Sequence, residues 1–377
     1  MKVLVAPDAF AGTLTAPEAA RAVAEGWARH APDDQLTTVP MADGGPGFVD
    51  VLHNSLGGEL VVVTVAGPLG RPTPVTMLLR GVMTPLRRGS TAYVESAQAC
   101  GHPLLDEPDA WNTTTAGVGE AIAAATDAGA TTVVVGLGGS ATNDGGAGLL
   151  GALGATADVQ LDAGVAGLRG ITSVDLAPAR DRLAGVTLVA AIDVVTPLLG
   201  MFGATKTYGP QKGLADDEIL VVDRILDELV VAACGPAPSD RRVAEQPGAG
   251  AAGGLGFALM LLGATTRPGV DFVRDAVGLA DACAEHDLVV TGEGTYDHSS
   301  RSGKVVHGVA ATAAAAARPC IVLAGQVTVG AREMRAMGVE SAYAVADLVG
   351  VDRAMDDPHG SLAALAERVA RTWSPRR

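Results

Sequence analysis

The densest concentration of residues able to do chemistry is Gly136-Leu-Gly-Gly-Ser-Ala-Thr-Asn-Asp-Gly-Gly-Ala-Gly148, which follows the β-branched run Thr131 to Gly136 and precedes an apolar stretch beginning at Leu149. Strand, glycine loop and helix together make a phosphate cradle. Glycines let backbone N–H groups turn toward an anion, the Ser140 and Thr142 hydroxyls add donors, and the helix N-terminus adds a favourable partial charge. Gly138, Gly139, Ser140, Thr142 and Asn143 are therefore the candidate nucleotide contacts, with Asn143 and Asp144 able to orient a ligand. A tight strand-to-helix turn is the plain alternative, although it needs fewer glycines and polar residues. The segment also nominally fits the dinucleotide fingerprint through Gly136, Gly138 and Ala141, with Asp158 or Asp162 at ribose distance, but Asn143-Asp-Gly-Gly146 interrupts the helix that this fingerprint requires.

A second glycine-rich entry to an apolar helix, Pro247 to Gly256, offers Gly250, Gly253 and Gly254 as further nucleotide contacts, against the alternative of close helix packing. Lysine is confined to Lys2, Lys206, Lys212 and Lys304. Lys212, in Tyr208-Gly-Pro-Gln-Lys-Gly213, and Lys304, beside Gly303, are candidate catalytic cations that would offset phosphate charge.

Carboxylates recur after apolar strands. Asp8 follows the first, Asp43 the second, and Glu293, with Asp297 close behind, follows Leu288 to Val290. The carboxyl ends of parallel strands are the ligand edge of such a sheet, so these four are candidate substrate contacts, and Glu293 is also a candidate metal ligand. Asp193, after the strand Val186 to Ala191, is the candidate general base and second metal ligand, since phosphoryl transfer needs Mg²⁺ and a carboxylate to take the acceptor's proton. Each of these acids taken singly is also a common turn or cap residue.

The elements that must position these groups read as α/β. Thr15-Ala-Pro-Glu18 is a capping box opening a helix to about Arg29, between strands at Val3 to Ala6 and Leu36 to Pro40. A helix to about Leu56 and a strand Leu60 to Val65 continue the β-α-β pattern, which implies parallel strands. The C-terminal part repeats it through Leu288 to Thr291, a helix from Gly303, Ile321 to Ala324, a helix near Arg332, Ala342 to Val345 and a last helix Leu362 to Thr372. Between them, Val75 to Arg80 and Thr91 to Glu95 look antiparallel. The expected architecture is a Rossmann-like parallel-sheet domain built from both chain ends, residues 1–66 and 286–377, with a second α/β domain, residues 67–285, inserted and carrying the glycine loops.

With 377 residues, two cores are expected. The net charge of −15 has no basic block, which argues against nucleic acid and anionic membranes as partners and requires any anionic small substrate to be held by local cations, N–H groups or metal. The dispersed Cys100, Cys234, Cys283 and Cys320 read as reduced buried thiols of a cytoplasmic protein, and no apolar run reaches membrane-spanning length. A homodimer is the assembly considered.

Taken in order, APDAF with TLTAPEAA, MADGG, GLGGSATNDGGAG, AIDVVTPLLG, YGPQKG, PGAGAAGGLG and TGEG…D…GK resemble the glycerate kinase family that includes bacterial glycerate 2-kinases, across nearly the whole chain. The resemblance implies ATP-dependent phosphorylation of D-glycerate with Mg²⁺. Departures from the family pattern fall at Ala9-Phe10-Ala11, where a lysine is usual, at Pro46 and Phe48, and at Thr295 and Ser299, where the family carries GEGRxDxQ. Arg301 is the candidate substrate contact that would replace the missing cations. A catalytically weak nucleotide- or metabolite-binding regulator is the alternative of a different class, and a nicotinamide-dependent dehydrogenase is the third.

Overall fold

A computed structural model describes residues 1–10, 12–81, 89–298 and 304–374. Within it the chain divides into two compact units: Met1–Asp43 with Asp50–Gly57 and Gly269–Arg377, and Gly44–Val49 with Gly58–Pro268.

The first unit holds a five-stranded sheet ordered Ser341–Ala344, Cys320–Ala324, Leu288–Thr291, Lys2–Val5, Gln35–Thr38. Every pairing is parallel. Such strands need cover on both faces, which is why Leu288–Thr291 and Cys320–Ala324 are buried at every position. One face is covered by the helices Ala16–His30 and Pro358–Trp373, which pack closely because Gly26 has no side chain; a Cβ there would lie 2.0 Å from the Ala363 carbonyl oxygen. The expected capping box is present, with Thr15 and Glu18 bonding reciprocally. Numbered along the chain, the strands run 2-1-3-4-5. The order therefore reverses between Lys2–Val5 and Leu288–Thr291, and ligands of open α/β sheets bind in the crevice at such a reversal.

In the second unit a six-stranded sheet runs Thr265–Arg267, Thr187–Ile192, Thr132–Leu137, Thr91–Glu95, Pro72–Arg80, Glu59–Ala66. Its first four strands are mutually parallel and the last two form an antiparallel arm. The Glu59–Ala66 strand departs from expectation: it pairs antiparallel along its whole length with Pro72–Arg80 instead of joining the parallel sheet of the chain ends. Its apolar sequence suits either sheet, and the turn at Gly67 to Gly70, with Gly67 N–H bonded to the Arg71 carbonyl at 2.7 Å, decides by folding it back.

All four cysteines are free, with Cys100, Cys283 and Cys320 buried. Among the described residues no helix is long and apolar enough to cross a membrane.

Candidate functional site

At the strand-order reversal of the first unit, the chain leaving Lys2–Val5 reaches Asp8, whose N–H donates to the Gly292 carbonyl at 2.8 Å, so Asp8 and Glu293 leave neighbouring strands together. Gly292 makes this possible, because a Cβ on it would sit 2.1 Å from the Leu323 carbonyl oxygen. A cavity of about 410 Å³ opens there. Its polar end carries Asp8, Asp43, Glu293, Asp297 and Lys304, and its apolar wall includes Phe10, Val345, Met355 and Leu362. The structure thus gathers four of the carboxylates and one of the lysines picked out in the sequence.

Glu293 is 6% exposed and lies 3.9 Å from the Lys304 Nζ, a long ion pair. Lys304 is the N-cap of the helix Val305–Ala315, where a cation opposes the helix dipole. Burial pushes the Asp8 carboxyl well above the usual carboxylate range; Asp43 and Glu293 add to the rise, while the Ala9 N–H and Lys304 oppose it. Arg301, like Ala11 and Ser299, lies outside the described residues.

In the second unit Leu137 and Ile192 are partners in register, so Gly138 and Asp193 leave the sheet side by side at its carboxyl edge. The two glycine loops pack directly on each other. Gly145 N–H donates to the Gly253 carbonyl at 2.9 Å, and a Cβ on Gly253 would lie 1.9 Å from the Thr142 carbonyl oxygen, one on Gly254 2.4 Å from the Gly145 Cα. Gly250 is likewise pinned, its N–H bonded to the Thr196 carbonyl at 2.9 Å. Close packing therefore accounts for Gly250, Gly253 and Gly254, with φ of +69° at Gly253 and +102° at Gly254 adding a conformational reason. Gly139, at φ +65°, is constrained by Pro46, whose ring would meet a Cβ at 2.9 Å. Pro46 was expected in the first domain and instead belongs to the second unit.

What the packing leaves over suits an anion. Ser140, Thr142 and Asn143 are buried, and among the described residues their N–H groups have no protein acceptor, whereas the Ala141 N–H between them donates to the Cys100 carbonyl at 2.8 Å; Asn143 Oδ1 also has no partner. Buried backbone donors are almost always paired, so this loop is incomplete by itself. Asp144 is fully occupied, accepting from Thr115 N–H and Oγ1 at 2.8 Å each, Gly146 N–H at 3.0 Å and Gly148 N–H at 3.2 Å. It braces the loop from behind. Lys212 is buried too, its ammonium donating to the Thr142 carbonyl at 2.6 Å and Ser140 Oγ at 3.1 Å.

Several contributors escaped the sequence reading. Glu95, at the end of its strand and 5% exposed, accepts from the Gly47 and Val49 N–H groups at 3.1 and 3.3 Å and so holds the segment beside Gly139. Gln326 lines the first unit's cavity, and its signal, Ala324-Gly-Gln after an apolar strand, is the same one that picked out Glu293. Asp158, weighed as a ribose contact, is engaged by Thr172 and Ser173 in a surface ribbon. No group of three His, Cys, Asp or Glu side chains among the described residues is arranged to hold a metal by itself.

Comparison with known proteins identifies the chain's relatives. An uncharacterized protein of Mycobacterium bovis is 41% identical over 98% of this chain and 91% of its own length. The glycerate 2-kinase of Escherichia coli K12 is 35% identical over 99% of this chain and 98% of its own. A crystal structure assigned to glycerate kinase 2 of Salmonella typhimurium LT2 superposes with a TM-score of 0.81 at 35% identity, covering 99% of this chain and 98% of that one. The sequence model of the glycerate kinase family matches residues 3–374. The chain belongs to the glycerate kinase family.

Proposed function

We propose that this protein is an ATP-dependent kinase that transfers phosphate to a hydroxyl of D-glycerate, with Mg²⁺ accompanying the nucleotide. The observation that carries this is the loop Gly139 to Asn143, in which the buried Ser140, Thr142 and Asn143 N–H groups lack protein acceptors beside a buried ammonium. Phosphate oxygens are the acceptors that such a loop is short of, and Gly138 and Ser140 lie on the same edge.

The first unit's cavity is the proposed acceptor site. Asp43 and Asp297 accept from glycerate hydroxyls, and Lys304 takes its carboxylate. Asp8 is better supported as general base than Asp193, because burial and neighbouring carboxylates raise its proton affinity, and a base working near neutral pH needs that. Magnesium that arrives on nucleotide phosphates requires only one or two protein carboxylates. Asp193 is the proposed ligand, and the ion would neutralise charge on the transferring phosphoryl group. The family relationship ranks the kinase ahead of a nicotinamide dehydrogenase.

Coupled ADP release, measured with Mg·ATP and a panel of hydroxy acids, tests the activity. Glycerate-dependent turnover is expected; none with any acceptor would leave the nucleotide-binding regulatory role. Gly139→Val should weaken ATP binding measured by calorimetry, and unchanged affinity would remove the loop from the nucleotide site. The same proposal places the protein in the cytoplasm as a homodimer, which fractionation and light scattering check.

A further inference from the structure

We propose that Lys212 is a positioning residue of the phosphate loop: by donating to Ser140 Oγ, its buried ammonium occupies that oxygen's lone pair and leaves the hydroxyl hydrogen to be donated to a phosphate oxygen. This rests on the loop being the nucleotide's phosphate site.

The geometry argues for it in three steps. A hydroxyl has one hydrogen to give and two lone pairs to receive with, so an ammonium 3.1 Å from Ser140 Oγ takes up one lone pair, keeps the hydrogen from pointing at it and leaves that hydrogen for another acceptor. The second bond, 2.6 Å to the Thr142 carbonyl, ties the backbone two residues further on to the same ammonium and holds the segment in which the Ser140, Thr142 and Asn143 N–H groups lack protein acceptors. Finally, among the described residues no carboxylate lies within 4.0 Å of Nζ, since both Asp144 oxygens are taken by Thr115, Gly146 and Gly148.

Lys212 is therefore a buried cation without a direct anionic partner. Burial lowers its pKa to about 8, with Cys100 and Asp144 opposing the drop, so at neutral pH the charge is retained at an energetic cost. The turn Pro210–Lys212 needs no charge to stay docked, because the Lys212 carbonyl accepts from Ala110 N–H at 2.9 Å and Gly213 packs on Pro108. An apolar side chain of similar length would fill the same space without that cost, and this relief offsets the donor that the Thr142 carbonyl loses. A residue kept for folding would behave in the opposite way.

The test uses the full chain, with Mg·ATP affinity read by calorimetry and stability by thermal melting. Lys212→Met should melt close to the parent yet bind Mg·ATP on the order of tenfold more weakly, the loss expected when one charge-assisted contact is removed. Ser140→Ala should weaken binding comparably. The double variant should be no weaker than the weaker single one, because both remove the same donated hydrogen bond. Unchanged affinity in Lys212→Met, a loss of its fold or a marked fall in its melting temperature, or fully additive effects would each overturn the proposal. If Gly139→Val and Ser140→Ala both leave affinity unchanged, the phosphate-site reading itself falls. If those two weaken binding and Lys212→Met does not, only the role of Lys212 falls.

Discussion

Asp8 shows how a single side chain can be a liability to the fold and an asset to the site. Its carboxyl is held above the usual range by burial and by Asp43 and Glu293, so ionising it in the folded protein is unfavourable compared with the unfolded chain. A folded-state pKa above the unfolded one means the group's contribution is intact below the unfolded value and is lost as pH rises through the folded value. Asp8→Asn is thus expected to melt higher than the parent at pH 7, with the gap closing as the pH is lowered through the carboxylate range; melting curves across pH check this. The same substitution should cut kcat by about a hundredfold if Asp8 is the base, with a smaller change in KM for ATP. The residue types were visible in the sequence, because an acid after an apolar strand is easy to find. The shift was not, since it depends on three carboxylates from distant parts of the chain meeting in one cavity. Lys212 was equally visible as a lysine among glycines, yet its Gly-Pro-Gln surroundings look like a solvated turn and hide a fully covered ammonium.

At the level of elements, local signals were reliable where the chemistry is local. The capping box at Thr15 and Glu18 follows from four consecutive residues, and Thr15→Ala should destabilise by about 1 kcal/mol in urea unfolding. Gly26→Ala tests a contact that only packing reveals. Its new methyl would overlap the Ala363 carbonyl, and a cost of roughly 1–3 kcal/mol is expected from forcing the Ala16–His30 and Pro358–Trp373 helices apart. The Glu59–Ala66 strand was identified as a strand but assigned to the wrong sheet. Periodicity reports whether a segment is extended; its partner is fixed by hydrogen bonds to residues 72–80, which no local pattern encodes. The glycine loops illustrate the same limit. Their composition suggested ligand contact throughout, whereas much of the glycine requirement comes from one loop lying against the other, and the part proposed to meet phosphate narrows to Gly139 through Asn143.

For the whole molecule, charge is the property that acts at a distance. A protein of net charge −15 repels ATP and glycerate before either meets a local donor, and salt screens that repulsion over about 10 Å at 0.1 M. Raising ionic strength from about 0.01 M to about 0.15 M should increase kcat/KM by about a factor of two or more. A steady fall instead would mean that a local cationic field dominates substrate capture. Initial rates at fixed free Mg²⁺ separate the two.

An interior strand of the first sheet, Lys2–Val5, bonds on one side to Gln35–Thr38 and on the other to Leu288–Thr291. On the ribosome its first neighbour arrives promptly, whereas the second is separated from it by some 285 residues. At about 5–20 residues per second the open edge waits roughly 15–60 s. For that interval an apolar strand with unpaired N–H and C=O groups is exposed, which is the template other nascent chains can add to. The second unit's sheet, complete by Arg267, can form in the meantime. Biogenesis is then the stage at which this fold is most vulnerable: the yield of active protein should depend on trigger-type chaperones shielding the first forty residues, and a circular permutant beginning near Gly269 would relieve that dependence.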